Sequence, residues 1–226
     1  ELFEGNRLLF EGLYAAEHWD WSVSYPVIRI SFGSGAAHSK ESLDTRINEL
    51  LIENAQNLGI TLQYETSGGR LRHLIRSASE QSGQRVVVLI DEYDKPILDN
   101  IEDAERATAM REGLKDLYSV LKDADPYLKF VFLTGVSKFS TVSLFSGLNN
   151  LNDISMDAEY SALCGYTDAD IDTVFAPELA VGDLDRQQIR EWYNGYNWTG
   201  DAVYNPFDLL LLFADREFRP FWYETG

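Results

Sequence analysis

Apolar positions in the first part of the chain alternate between short continuous runs and longer stretches with a helical period. Three continuous runs, rich in β-branched and aromatic side chains, predict buried strands at residues 24–32, 85–90 and 128–133. Three stretches with apolar side chains every three or four positions predict amphipathic helices at residues 42–58, 69–82 and 103–123. Because strands and helices alternate, this part predicts an α/β fold with a parallel, doubly wound sheet and helices on both faces.

The pattern changes near residue 157, beyond which helix-start signals replace long apolar runs. A weak strand is predicted just before this change, at residues 153–157. Polar caps and helical spacing predict helices that begin at Thr167, Gln187 and Asn205. The chain is therefore predicted to contain an α/β core, residues 1–157, and a mainly helical C-terminal region, residues 158–226.

The strand predicted at residues 85–90 runs directly into two carboxylates, Asp91 and Glu92, and Pro96 prevents it from continuing. Open α/β sheets bind their ligands at the carboxyl edge of such strands. Since Mg²⁺ prefers oxygen ligands and keeps several waters, Asp91 is a candidate metal ligand, directly or through water. Glu92 is a candidate for orienting and polarising an attacking water. The alternative is that both acids only cap the following turn at a solvated edge.

Two more candidates follow the last predicted strand. Thr134 ends that strand, where a polar side chain beside the acidic strand can sense a γ-phosphate; the alternative is a simple strand-terminating turn with Gly135. Lys138 lies close behind and is a candidate nucleotide-binding residue, although a solvated lysine fits the same pattern. Asp94 and Lys95 are predicted to form a local ion pair at an exposed position, which would contribute little stability.

Two other kinds of site, a nuclease site and a carbohydrate site, use residue types that this chain contains. A nuclease site with an acid and a Glu-x-Lys pair on one strand is excluded at this position, because Glu92 and Lys95 are three residues apart and one face of a strand requires even spacing. The segment WYNGYNW (residues 192–198) permits a carbohydrate site that combines Trp192 or Trp198 with the acids. The simpler interpretation is a tight glycine turn with aromatic packing.

Composition supports a folded domain with an acidic surface. Apolar residues make up 45% of the 226 positions, which is ample for a core. The formal net charge of −18, from 19 basic and 37 acidic residues, disfavours binding along nucleic acid, because that affinity comes largely from lysine and arginine at phosphates. Charge alone says nothing about the fold.

Residue types also limit redox and metal chemistry. Cys164 is the only cysteine, so an intrachain disulfide or thiolate cluster is excluded, which fits a reducing, cytoplasmic setting. The three histidines (His18, His38 and His73) are far apart in sequence, which disfavours a zinc site. No apolar stretch approaches the length of a membrane span. The chain begins at Glu1 within a helix-like segment, which predicts a piece of a longer protein.

With these motifs placed, the chain resembles the AAA-ATPase-like family of bacterial and archaeal proteins, which are often fused to a PD-(D/E)XK nuclease-like domain. The resemblance spans nearly the whole chain. It rests most strongly on VVVLIDEYDKPIL (86–98), FVFLTGVSKFSTVSLFSGLNNLNDIS (130–155) and WYNGY (192–196), together with ELFEGN (1–6), YPVIRISF (25–32), GYTDADI (165–171), YNPF (204–207) and FWYETG (221–226). It implies a P-loop ATPase fold with Asp91 and Glu92 as the Walker B acids and Thr134 in a sensor-like role.

The chain departs from this family in one respect. Members carry a Walker A phosphate loop of the form RRFGKS upstream of the ELFEG segment, and this chain contains no such sequence. That loop cradles the phosphates and supplies a lysine and a hydroxyl. We therefore expect a P-loop NTPase-like sheet that lacks its first strand and phosphate loop, and that alone binds Mg·ATP weakly. The nuclease-like domain would follow Gly226, and no residue here supports nuclease activity.

The resemblance thus implies the core of an ATP-binding, Mg²⁺-dependent switch or regulatory protein that hydrolyses ATP when complete. The alternative is a nucleotide-independent interaction module, whose acidic surface and helical region dock an unidentified protein partner. A phosphate loop in the longer protein separates these two hypotheses, because only the first requires it.

Overall fold

The structure is a computed structural model that describes residues 1–136, 144–145, 150–197 and 199–221. The chain divides into two compact units, Glu1–Leu151 and Asn152–Gly226.

The first unit is built on three parallel strands, β1 (Val27–Ser31), β2 (Val86–Asp91) and β3 (Leu128–Leu133), in the order β1-β2-β3. These strands lie within three residues of the predicted ends. The register pairs Ser31 with Asp91 and Ile90 with Leu133, so the three carboxyl ends lie at one edge of the sheet.

Five α-helices are described in this unit, and the three long ones confirm the predicted helices with ends shifted by at most two residues. They are α1 (Tyr14–His18), α2 (Lys40–Asn57), α3 (Ser67–Ser82), α4 (Lys95–Leu98) and α5 (Ala104–Asp123). Side chains of Ser39, Thr66 and Asp103 cap the long helices, because each accepts a backbone N–H of the first turn. No helix among the described residues is long and apolar enough to cross a membrane.

The long helices pack on one another and on a single face of the sheet. That face carries Ile28, Ile30, Val88 and Ile90, each at most 1% exposed, and forms one hydrophobic core with α2, α3 and α5. The prediction of helices on both faces is therefore wrong for the described part of the chain. The helices lie on one side because of the strand order. Right-handed crossovers that advance in one direction across a sheet place their helices on the same face.

The opposite face of the sheet is covered by the N-terminal segment rather than by a helix layer. Phe3 stacks on Phe130 of β3 with ring centroids 5.5 Å apart, and its backbone oxygen accepts the N–H of Tyr25 at 2.7 Å. Phe130 nevertheless remains 43% exposed. The expectation of a fully buried third strand is wrong, because β3 is an edge strand among the described residues.

The outer edge of β1 is closed by a side chain of α2. The amide of Asn54 accepts the N–H of Arg29 at 2.8 Å and donates to the Arg29 oxygen at 2.7 Å, so it replaces a neighbouring strand at that residue. Asn54 is 8% exposed and also donates to the Leu50 oxygen. A side chain that satisfies an edge strand in this way hinders pairing with another chain.

The second unit combines short helices with a two-stranded antiparallel sheet. Its elements are α6 (Asp168–Thr173), α7 (Ala176–Leu179), α8 (Arg186–Tyr193), β4 (Asn194–Asn197), β5 (Ala202–Tyr204) and α9 (Pro206–Asp215). The three predicted helix starts are confirmed, with Thr167, Asp185 and Asn205 as caps. The hairpin of β4 and β5 was not predicted.

The weak strand predicted at residues 153–157 is wrong. Asp153 accepts the N–H of Ser155 at 3.0 Å, and Asp157 accepts that of Glu159 at 3.0 Å. These local bonds hold turns and a 3₁₀ segment, Ala158–Tyr160, because aspartate side chains offer the backbone an alternative to strand pairing.

A charged network joins α6, α8 and β5 within the second unit. Arg186 donates to Asp168 at 2.6 Å, to Asp172 at 2.6 Å and to the Tyr204 hydroxyl at 2.8 Å. Tyr204 also donates its hydroxyl to Asp168 at 2.6 Å. The hydrogen bond from Tyr204, followed by that from Arg186, holds the pKa of Asp168 below its usual value.

We predict that Asn54→Ala lowers the free energy of unfolding of the first unit by about 1–3 kcal/mol, because backbone groups of Arg29 lose their partner. Asn57→Ala, at an exposed position at the end of the same helix, is the control and should change it by less than about 0.5 kcal/mol. Urea denaturation measures both, and equal effects would show that Asn54 does not stabilise the β1 edge.

We predict that acid weakens the second unit through Asp168. Because its folded pKa is depressed, its stabilising contribution is complete above the unfolded pKa of about 3.9 and is lost as the pH falls through the folded value. Asp168→Asn should therefore flatten the loss of stability between about pH 5 and pH 3. Urea titrations followed by the Tyr204 amide signal report this unit. Asp201→Asn, at an exposed acid, should leave the pH dependence intact.

Candidate functional site

The carboxyl edge of the sheet brings Asp91 and Thr134 into direct contact. The Thr134 hydroxyl donates to Oδ1 of Asp91 at 2.5 Å, and the Thr134 N–H donates to the Ile90 oxygen at 2.9 Å. Ser31, the last residue of β1, lies opposite Asp91 in the register, so it brings a hydroxyl-bearing side chain to the same edge. The edge therefore presents one carboxylate between two hydroxyl-bearing residues.

Glu92 follows with an unusual backbone. Its φ of 53° lies in the left-handed region, which costs free energy for a residue with a side chain. Its carboxylate lies against the loop after β1, where a Cβ at Gly33 would be 3.2 Å from Oε1 of Glu92. The absence of a side chain at Gly33 thus leaves space for this carboxylate.

Asp94 and Lys95 do not form the predicted exposed pair. Asp94 is fully buried, and its Oδ1 accepts the N–H of Val136 at 3.2 Å. Lys95 instead donates to Asp99, one turn along the chain, at 2.8 Å, and this hydrogen bond raises the Lys95 pKa. The prediction was wrong because adjacent residues in a turn point in different directions, which a list of charges does not reveal.

Two of the predicted candidates cannot be placed at this edge. Lys138 and Trp198 lie outside the described residues. Trp192 is 48% exposed in the second unit, whereas Asp91 and Glu92 belong to the first. The neighbouring Tyr193 is buried and stacks on Phe218 and Phe221 within its own unit.

The donor set fits a hard cation that keeps most of its waters. The described ranges contain no cluster of three or more His, Cys, Asp or Glu side chains arranged to hold a metal ion. One exposed carboxylate, Asp91, beside the Thr134 hydroxyl is instead what Mg²⁺ requires when phosphate oxygens and water supply the remaining ligands.

Two surface grooves formed by described residues do not include the acids of this edge. They have volumes of about 660 and 580 Å³. One is lined by α3 and α5, and the other runs along the outer edge of β1 and includes Ser31, but neither is lined by Asp91, Glu92 or Thr134.

Sequence reasoning missed Ser31, Gly33 and the burial of Asp94. Ser31 has a usable signal, since it is a polar residue near the end of an apolar strand, as Thr134 is. Gly33 and Asp94 have none, because their importance comes from contacts with Glu92 and with the backbone of Val136.

Comparison with known proteins assigns the family. Residues 1–145 match the family model described as predicted AAA-ATPase. The chain belongs to this AAA-ATPase-like family. The matched segment includes the sheet edge with Asp91, Glu92 and Thr134.

A longer relative of this AAA-ATPase-like chain occurs in Azotobacter chroococcum mcd 1, where it is described as an uncharacterized protein in the vnfD 5′ region. It is 61% identical over 226 residues, which is 100% of this chain and 43% of the relative. The chain thus spans less than half the length of that protein. No solved structure matches.

We predict that the free energy of unfolding of the Glu92→Gly variant equals that of Glu92→Gln or exceeds it by up to about 1 kcal/mol. The reason is that glycine adopts the left-handed backbone without a Cβ penalty. Urea denaturation of both variants measures the difference. A clearly less stable glycine variant would contradict the view that Glu92 is held in an unfavourable conformation.

Proposed function

We propose that this chain is the core of an ATP-hydrolysing switch or regulatory protein, with Asp91 and Glu92 as its Walker B pair. The hydrogen bond between Thr134 and Asp91 at the carboxyl edge of the sheet carries the proposal. It places a polar side chain of the neighbouring strand against the acid that ends β2, which is the arrangement that phosphate chemistry at such an edge needs. Membership of the AAA-ATPase-like family supports it.

Each residue has a distinct role in this proposal. Asp91 holds Mg²⁺, directly or through water, and the Thr134 hydroxyl fixes the orientation of the Asp91 carboxylate while responding to the terminal phosphate. Glu92 accepts a hydrogen bond from the attacking water and polarises it. When bound, Mg²⁺ would neutralise charge on the phosphate oxygens of ATP.

The remaining half of the site is proposed to come from sequence outside residues 1–226. No strand pairs with the outer side of β3 among the described residues, and Phe130 of β3 is 43% exposed. The outer edge of β1 is already closed by Asn54. We therefore place the strand of a phosphate-binding loop beside β3, in the longer protein of which the relative is an example.

A second candidate function is a nucleotide-independent interaction module with a protein partner. Exposed apolar side chains in the N-terminal segment favour it: Leu8 is 80% exposed and Tyr14 is 78% exposed. Apolar side chains grouped in this way on a chain with net charge −18 are typical of a surface that another protein segment covers.

The two functions are separated by ATP hydrolysis in a protein extended upstream through a phosphate loop. We predict turnover that Glu92→Gln reduces by at least about 100-fold, since the water loses its acceptor. Glu102→Gln, the same change at an exposed acid, is the control and should leave turnover within about twofold.

We also predict that residues 1–226 alone bind Mg·ATP with a Kd above about 1 mM, which isothermal titration calorimetry can establish. Tighter binding would contradict the need for a phosphate loop. An extended protein that folds, hydrolyses no ATP and still binds a protein partner would favour the interaction module instead.

A further inference from the structure

We propose that Asp94 is a positioning residue of this site: its buried carboxylate holds the backbone after β3 so that the Thr134 hydroxyl meets Asp91. The inference rests on the proposed function for its catalytic consequence, but its geometry stands independently. Asp94 is fully buried, and its Oδ1 accepts the N–H of Val136 at 3.2 Å. The segment Thr134–Val136 is thereby joined to the turn that follows the acidic strand.

Both backbone groups of Thr134, its N–H and its C=O, are hydrogen-bonded. Its N–H donates to the Ile90 oxygen at 2.9 Å, and its oxygen accepts the N–H of Tyr93 at 2.9 Å. These bonds alone leave the chain free to turn away after Thr134. The contact between Asp94 and Val136 removes that freedom, because it holds the backbone two residues further on.

Gly135 makes the close approach of the two segments feasible. A Cβ at this position would lie 2.5 Å from Cε1 of Tyr93 and 2.6 Å from Oδ1 of Asp94. Any larger residue would push the segment away from the turn. The glycine is therefore explained by the same contact that buries Asp94.

The turn is supported from the helix layer by Tyr118 of α5. This fully buried side chain donates its hydroxyl to the Tyr93 oxygen at 3.0 Å. Burial, followed by the negative charge of Asp94, raises the pKa of Tyr118 well above its usual value, so the hydroxyl stays a donor. Phe145 packs on both tyrosine rings, with centroids 5.2 and 5.5 Å away.

A buried carboxylate is costly unless hydrogen bonds repay its desolvation, so packing alone gives no reason for one here. An apolar residue would fill this space without that cost. The carboxylate supplies something an apolar side chain lacks, which is an acceptor for the Val136 N–H. A positioning role thus explains why a side chain with a hydrogen-bond acceptor is buried at this location.

The test removes each partner of this bond separately. Val136→Pro deletes the N–H and fixes the backbone φ at a position where the side chain is 84% exposed, and Val136→Ala is its control because it keeps the N–H. Asp94→Ala deletes the acceptor, whereas Asp94→Asn keeps an amide oxygen that can accept the same bond. Asn54→Ala, at a buried polar residue on the far side of β1, controls for general destabilisation.

The first measurement is amide hydrogen exchange in the protein of residues 1–226, which needs no ATP. Val136→Pro and Asp94→Ala should each speed exchange at the Tyr93 and Thr134 amides by about tenfold or more, relative to the Val87 amide, which bonds to the Pro26 oxygen on the other side of β2. Val136→Ala and Asp94→Asn should stay within about twofold of the unchanged protein. Unchanged relative exchange in both deletion variants would overturn the proposal.

The second measurement is ATP hydrolysis by the longer protein with its phosphate loop. Asp94→Ala should lower kcat by about tenfold with KM within about twofold, Asp94→Asn should restore kcat, and Asn54→Ala should leave kcat unchanged. If Asn54→Ala lowers kcat as much as Asp94→Ala does, the effect of Asp94 on kcat comes from general destabilisation, and the positioning role is contradicted. If the unchanged longer protein hydrolyses no ATP, the proposed function fails, and the exchange result still decides the positioning.

Discussion

The parallel pairing of β2 with both of its neighbours is the constraint on which the rest of the structure depends. Its register brings Ser31, Asp91 and the residue after Leu133 to one edge, so the candidate site exists as soon as the sheet forms. Parallel strands require crossovers, and the helices in those crossovers supply the core that makes the sheet stable. The site and the core are therefore consequences of the same hydrogen-bond ladder.

The elements with a regular spacing of apolar residues could be predicted from the sequence. The strands and long helices of the first unit could be predicted because burial repeats along them. Asp91 and Thr134 could be predicted because each lies at the carboxyl end of such a strand. The layer arrangement could not, since a strand order of β1-β2-β3 places its helices on one side and no local pattern encodes order. In the second unit, residues 153–157 form turns instead of the predicted weak strand, because aspartate side chains accept hydrogen bonds from nearby backbone N–H groups.

The failures at the site are of a different kind, because they concern residues in turns. The burial of Asp94 depends on Tyr93, Gly135 and Val136, which come from two segments about forty residues apart in sequence. A turn has no period from which to infer which side chain points inward. The predicted pair of Asp94 with Lys95 failed for this reason, while Lys95 found Asp99 by the ordinary spacing of a helical turn.

Two costly features lie within three residues of each other in the turn after β2. Glu92 adopts a left-handed backbone, and Asp94 buries a carboxylate. Elsewhere in the first unit, local signals and tertiary structure agree, with capped helices, a glycine stop after α3 and strands buried on their core face. Proteins depart from such agreement mainly where function requires it. Glu92 projects toward the loop after β1 and Asp94 holds the segment after β3, so this one turn connects both neighbouring strand ends to Asp91. A turn that only reversed the chain would need neither feature.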